Sequence, residues 1–345
     1  MGDHTNWVTL LAGSDRRGGT SAARRTKPTE LIWKVTLPEA IRSSPILHEG
    51  LLYTGCRDGR LYALDARTGR ERWHFQAGGP IQSTASIAGD LVLFGCDDGA
   101  VYAVNRTAGR LAWKSDSDGA VWTSPVVFDG VVFAGTIAGA FRALDLQTGK
   151  PRWQRQFEGR ICSTAFVTRD LVYFGCADGA IRALEIGTGK DAWTHETGEG
   201  VTASPALTDD LVLVGSEDHT FRALDAASGH LRWQFETGAG LVASPAVAAG
   251  KVFFTDRDGY VFALTVDQGR ELWRTEPIRA ITAPVLAGGS SICVQGYYGS
   301  TRAHDIETGA LLWTANLGGS LQSTPIVTDD EIYLATVNGV VYALR

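Results

Sequence analysis

Residues 81–114 read IQSTASI (81–87), AGD, LVLFGC (91–96), DDG, AVYAVN (100–105), RTAG and RLAWK (110–114). Four short runs rich in Val, Ile, Leu, Tyr and Phe are separated by Gly/Asp turn signals, the pattern of four successive antiparallel strands. Outward from this stretch the pattern repeats. Trp33, Trp73, Trp113, Trp153, Trp193, Trp233, Trp273 and Trp313 stand 40 residues apart without a slip. A period near 40 belongs to propellers or helical solenoids. No 3.6-residue apolar stripe is present, which removes the solenoid. Four strands per period make one propeller blade, and eight Trp predict eight blades, with each Trp on an outermost strand packed between neighbours.

The ends predict closure. Residues 30–37 (ELIWKVTL) read as a fourth strand with no blade before it, and the last repeat stops at Arg345 after its third strand. The N-terminal strand is therefore expected to complete the last blade and cover the edges a partial blade would expose. The expected organisation is an irregular leader over 1–29 and a single all-β, eight-bladed propeller of four-stranded antiparallel blades over 30–345.

Composition bounds the function. The 345 residues are 44% hydrophobic and 20% charged, with 41 Gly and 1 Met, a turn-rich globular composition. A net charge of -6 speaks against nucleic acid as the main partner. No apolar run reaches the ~18–20 residues of a membrane-spanning helix, and no signal peptide is read in the first residues, so a cytoplasmic monomer is expected. Five cysteines (Cys56, Cys96, Cys162, Cys176 and Cys293) form no CxxC pair, and no metal-ligand spacing is found. Cys56, Cys96 and Cys176 fall where other repeats have Thr136, Ser216 and Thr336, and read as small buried substitutes for a hydroxyl. No P-loop, HExxH or GxSxG motif occurs. The recurrent Asp65, Asp145 and Asp225 read as turn formers on the far side of the ring.

The stretch Ser43 to Trp73, SSP…LLYTGCRDGRLYALDARTGRERW, resembles the PQQ-like (quinoprotein-type) propeller repeat: a Ser-Pro first strand, a D-G turn, an A-L-D-x-x-T-G turn and a docking Trp. The resemblance covers about residues 30 to 345, and Trp7, Gly13, Arg17 and Gly18 loosely echo a leader such proteins carry. It implies the fold. Its members include quinoprotein dehydrogenases, outer-membrane-assembly lipoproteins and sensor domains of kinases, so the fold leaves function open. The dehydrogenases it brings to mind are longer and carry adjacent cysteines and a calcium site. This chain has neither the cysteine pair nor room for insertions, and no cofactor is expected.

Aligned repeats act as controls for one another. The eighth residue after each Trp is always aliphatic (Ile41, Ile81, Val121, Ile161, Val201, Leu241, Ile281, Leu321), hence packing. The next varies: Arg42, Gln82, Trp122, Cys162, Thr202, Val242, Thr282, Gln322. Arg160 stands out in an otherwise small series. These positions are expected at the channel mouth. Arg42, Gln82, Trp122, Arg160 and Gln322 there suit a polar or anionic group with Trp122 as a stacking surface. The plainer reading is a wet channel that tolerates any polar side chain.

A second set lies in the turns 23 to 26 residues after each Trp. His219 replaces the turn glycine of the other blades, which implies backbone strain. Asp256 replaces a small Ser/Thr, and Arg257, Tyr297 and Tyr298 follow on adjacent blades. Blade seven reads as shifted, with Pro284 one residue early and an extra residue around 288–291. His219, Asp256, Arg257, Tyr297 and Tyr298 are expected to form one patch, set against simple decay of exposed repeats. The leading expectation is a ligand- or protein-binding scaffold that uses the channel-mouth face for a small molecule, protein or peptide. The alternative is a cofactor-independent cyclase, isomerase or lyase, with His219, Asp256, Tyr298 or Cys162 as the candidate catalytic groups.

Overall fold

A computed structural model describes residues 30–345 apart from 209, 278–282, 297–298, 317–318 and 329–330. The leader 1–29 thus lies outside the described residues. All regular structure described is β-strand, arranged in eight four-stranded antiparallel sheets. Blades one to eight cover residues 46–76, 86–116, 126–156, 166–196, 206–236, 246–274, 286–316 and 326–344. The eighth is completed on its outer side by the strand Leu31–Thr36. That strand pairs antiparallel with Val340–Leu344, so the ring closes as the sequence predicts.

The strands differ as their places in a blade require. In blade two, Leu91–Gly95 and Ala100–Asn105 are buried on both faces and read as near-continuous apolar runs. The outermost strand of blade one, Glu71–Gln76, alternates between exposed and half-buried residues because one face meets water. Each Trp of the period lies on an outermost strand. For seven of them the indole Nε1–H donates, over 2.7–3.3 Å, to the carbonyl 33 residues on, in the next blade's turn between third and fourth strands. The same turn supplies a glycine against the indole: at Gly149 (φ +68°) a Cβ would come within 2.4 Å of Trp113. The turn's Asp is likewise scaffold. In Asp145, the hydrogen bonds from Arg152 and Thr148 hold the carboxyl down at about 2.

Around the channel the blades are joined by a ring of side-chain hydroxyls. The N–H groups of Ser44, Ser124, Thr164 and Ser204 donate to Thr84, Thr164, Ser204 and Ser244 on the following blades, and Thr324 N–H donates to Ser44 across the closure, all at 2.9–3.1 Å. Blade seven breaks this ring. Pro284 occupies the hydroxyl position and has no N–H to give, so the buried Thr324 Oγ1 has no hydrogen-bond partner among the described residues. The expected insertion beside it is absent. Leu286 pairs with Cys293 as Ile46 pairs with Tyr53, in the same 40-residue frame, so Pro284 is a replacement in register and not a shift.

Candidate binding face at the channel mouth

Two segments of each repeat meet on one face: the loop that enters the innermost strand and the turn between second and third strands. Backbone bonds tie them together. Arg57 N–H donates to Ala40 O, Asp97 to Pro80, Ala177 to Arg160, Glu217 to Gly200 and Arg257 to Gly240, at 2.9–3.0 Å. Loop residues such as Gln82 and turn residues such as Asp97 therefore stand side by side.

Across blades one to three the polar side chains of this face form one chain. Arg42 Nη1 donates to Gln82 Oε1 (3.2 Å), Gln82 Nε2 to Asp97 Oδ2 (2.7 Å), and Trp122 Nε1 to Asp97 Oδ1 (2.8 Å). The Asp97 carboxylate thus fixes the orientation of an indole that is 41% exposed, and Arg42 keeps donors to spare. Across blades five and six, Glu217 accepts from Thr202 (3.3 Å) and pairs with Arg257 (3.0 Å). Cys162 and Arg160 lie in blade four between these two groups, and half-buried Gln322 holds the equivalent place in blade eight. Burial pushes the Cys162 thiol up, with Glu217 reinforcing the rise and the Arg160 charge opposing it. The thiol form dominates at neutral pH.

The expected patch is split by the structure. Arg257 reaches the mouth through Glu217. Asp256 is 1% exposed and sealed inside its turn, where Oδ1 accepts from Gly259 and Tyr260 N–H and Oδ2 has no partner among the described residues. Burial drives its carboxyl pKa up. His219 takes the left-handed conformation (φ 65°) in the glycine place, and its carbonyl receives the N–H and hydroxyl of Thr237 beside the outer strand. Tyr297 and Tyr298 lie outside the described residues. No hydrogen bond joins His219, Asp256 and Cys162, the three candidates for acid–base or nucleophilic work that are described.

Cys56, Cys96 and Cys176 donate to the carbonyls of Glu39, Gly79 and Gly159 (3.1–3.3 Å), as Ser216 does to Glu199 (3.0 Å). Burial pushes these thiols up to about 11, about 12 and about 11. All five cysteines are free.

Two features escaped the sequence reading. The first is the role of Asp97 and Glu217 as anchors; the signal was a charged residue at the head of a turn that is apolar at Ile137 and Val337. The second is an open cleft of about 780 Å³ between blades three and four, lined by Ala138, Gln156, Phe157, Glu158, Asp178 and Arg182. There Phe157 lies under two guanidinium groups, Arg182 at 4.6 Å and Arg155 at 5.5 Å from the ring centroid.

The fold and this face define a quinoprotein-type eight-bladed propeller. The family described as "Outer membrane protein assembly factor BamB" matches over residues 9–120, 97–204, 177–278 and 257–345, and the chain belongs to that family. BamB from Moraxella catarrhalis superposes with a TM-score of 0.81 at 20% identity, over 92% of this chain and 99% of that one. A europium-containing methanol dehydrogenase superposes with a TM-score of 0.86 at 13% identity, over 99% and 98%. These likenesses establish the fold. A serine/threonine-protein kinase AfsK of Streptomyces griseus is 39% identical over 77 residues, 21% of this chain and 9% of the kinase, so the chain matches under a tenth of that relative's length.

The dehydrogenase neighbours raise the question of a quinone and its metal. The acidic groups at the mouth do not suit that pair. Asp97 and Glu217 stand on blades two and five, each already engaged by neighbouring side chains. No group of three metal-ligating side chains forms among the described residues. Among the described residues, no helix is long and apolar enough to cross a membrane.

Proposed function

We propose that the protein is a binding scaffold that holds a protein segment or a small polar ligand on its channel-mouth face. The observation that carries this reading is the bonded chain Arg42–Gln82–Asp97–Trp122. It spans three blades and presents an oriented, exposed indole beside unspent guanidinium donors. An indole and an arginine at the centre of a rigid face are the residue types that dominate binding energies. The second charged pair, Glu217–Arg257, gives the same face a polar anchor on the far side of the channel. The likeness to an outer membrane protein assembly factor agrees with protein binding as the class of activity.

Panning a displayed peptide library on the purified protein tests this. Selected peptides are expected to lose about tenfold or more in affinity on Trp122→Ala and Arg257→Ala. They should be unaffected by Arg152→Ala, on the far side of the ring. Peptides indifferent to both mouth substitutions and sensitive to Arg152→Ala would overturn the assignment of the face.

A further inference from the structure

Three of the eight repeats carry a tyrosine at the same place on the second strand: Tyr53, Tyr173 and Tyr333. Each hydroxyl donates to a backbone carbonyl in the following blade's turn between third and fourth strands. Tyr53 bonds Arg106 O (3.3 Å), Tyr173 bonds Ala226 O (3.2 Å) and Tyr333 bonds Ala66 O (3.4 Å). Two of these junctions bring an arginine side chain of the chain itself to the tyrosine. Between blades one and two, Arg106 Nε donates to Gly89 O (3.2 Å), and the guanidinium pairs with Glu49 and with Asp90 (3.7 Å). Burial pushes the Tyr53 phenol up to about 12 against the opposing charge of Arg106. Between blades eight and one, Glu331 accepts from Tyr333 and pairs with Arg345 (2.9 Å), whose charge opposes the rise of the Tyr333 phenol in the same way.

The junction between blades four and five keeps the tyrosine and lacks the arginine. Ala226 holds the place of Arg106. In blades three, four, six and seven that place belongs to Leu146, Ile186, Val266 and Ile306, each of which packs into or against a core cluster. Beside Ala226 there is instead a cavity of about 330 Å³, whose lining includes Leu171, Tyr173, Leu207, Asp170, Asp210 and Asp225. Asp210 stands where Asp90 meets Arg106, and Asp170 supplies a carboxylate where blade one has Gly50. Neither carboxylate has an ion pair among the described residues. Asp225 is held by Arg232 on the outer strand (3.1 Å), and Arg169, in the place of Glu49, is exposed and does not line the cavity. Burial drives the Tyr173 phenol pKa up, and the charges of Asp170 and Asp225 add to the rise. The cavity thus joins aliphatic walls that suit a methylene stem to acceptors that suit a cationic fork. Arg106 finds equivalent surroundings within its own chain.

We propose that this cavity, on the side of the ring away from the channel mouth, receives the side chain of an arginine presented by a partner polypeptide. The guanidinium is held by Asp170 and Asp210 beside the Tyr173 hydroxyl, as Arg106 is held beside Tyr53. Ala226→Arg should supply that side chain in cis and close the site.

NMR titration of the deuterated, ¹⁵N-labelled full chain at low ionic strength tests this, with acetyl-Gly-Arg-Gly-amide as the probe. A saturable shift of the Leu171, Ala226 and Ala227 amides is expected. The same peptide with citrulline for arginine should bind about tenfold more weakly or worse, because the charge and two charge-assisted hydrogen bonds are lost. A lysine peptide should be weaker than the arginine one, since an ammonium cannot bridge two acceptors as a planar fork does. Ala226→Arg should abolish the shift. Asp210→Asn, at an exposed side chain whose backbone bond to Ala226 is kept, should weaken binding about threefold. Citrulline or lysine peptides that bind as tightly as arginine overturn the proposal, as does an Ala226→Arg or Asp210→Asn variant with wild-type affinity. Shifts confined to the Trp122 face would overturn it too. Free arginine amide that binds where the tripeptide does not would mark a small-molecule pocket and rule out a polypeptide partner.

Discussion

At the residue scale, Asp256 shows how a position acquires meaning from its seven counterparts. Cys56, Cys96, Cys176 and Ser216 use this place to donate to a carbonyl 17 residues earlier. The equivalent carbonyl for Asp256 is Ala239 O, already bonded by Thr237 Oγ1 (2.8 Å). Toward that carbonyl an ionised carboxylate presents lone pairs to lone pairs, and burial raises its pKa against the opposing bonds from Gly259 and Tyr260 N–H. An acid with a folded pKa above its unfolded value of about 3.9 costs nothing below that value. It destabilises progressively as pH rises through the folded pKa. Asp256→Ser should therefore raise stability by about 1 kcal/mol near neutral pH. The gain should shrink to nothing near pH 4. Urea unfolding at the two pH values checks this, and an equal gain at both would contradict it.

At the element scale, what holds blade to blade is a plug and a platform. The indole of one outer strand sits on a glycine of the next blade and donates to a carbonyl three residues before it, as Trp113 does with Gly149 and Leu146 O (2.8 Å). Trp113→Ala should cost about 3–5 kcal/mol, as for large aromatics in cores. Gly149→Ala should also destabilise, through its left-handed backbone and its 2.4 Å approach to the ring. Their combination should cost clearly less than the sum, because Trp113→Ala removes the ring that the methyl group added by Gly149→Ala would strike. Denaturant unfolding of the two single variants and the double variant measures this, and full additivity would separate the two contributions. Elsewhere a second plug recurs: an aliphatic residue such as Ile81 fills the space left by Gly55 of the preceding blade.

At the scale of the whole molecule, the ring is closed by one strand drawn from the other end of the chain. Leu31–Thr36 covers the edge of Val340–Leu344, and Trp33 docks on blade one as the Trp from Trp73 to Trp273 dock on the blades that follow them. Removal of residues 30–36 should expose that edge and release the contact at once. Light scattering should then show association through the open edge, together with a lower Tm. A truncated chain that stays dispersed at the wild-type Tm would show that closure contributes little.

Most of this architecture was legible in the sequence, because strand order, turn chemistry and docking contacts all repeat every 40 residues. Local pattern and global fold agree eight times over. The same periodicity marked Trp122, Arg42 and Gln82 as places where repeats differ. Periodicity gives positions, not partners. That Asp97 joins Gln82 to Trp122, and that Glu217 holds Arg257, follow from the curvature that brings loop and turn of adjacent blades to one rim. The sequence likewise showed Asp256 and His219 as irregular but could not show that burial closes one inside its turn while the other lies outside. Nor could it mark Ala226, an ordinary alanine until the packing of blades four and five sets it against Tyr173 and leaves the carboxylates around it without a guanidinium. The chain's own order determined the ring. Only the solvent exclusion and the inter-blade distances of the assembled ring decided which charges are paired, which are sealed and which remain free to meet another molecule.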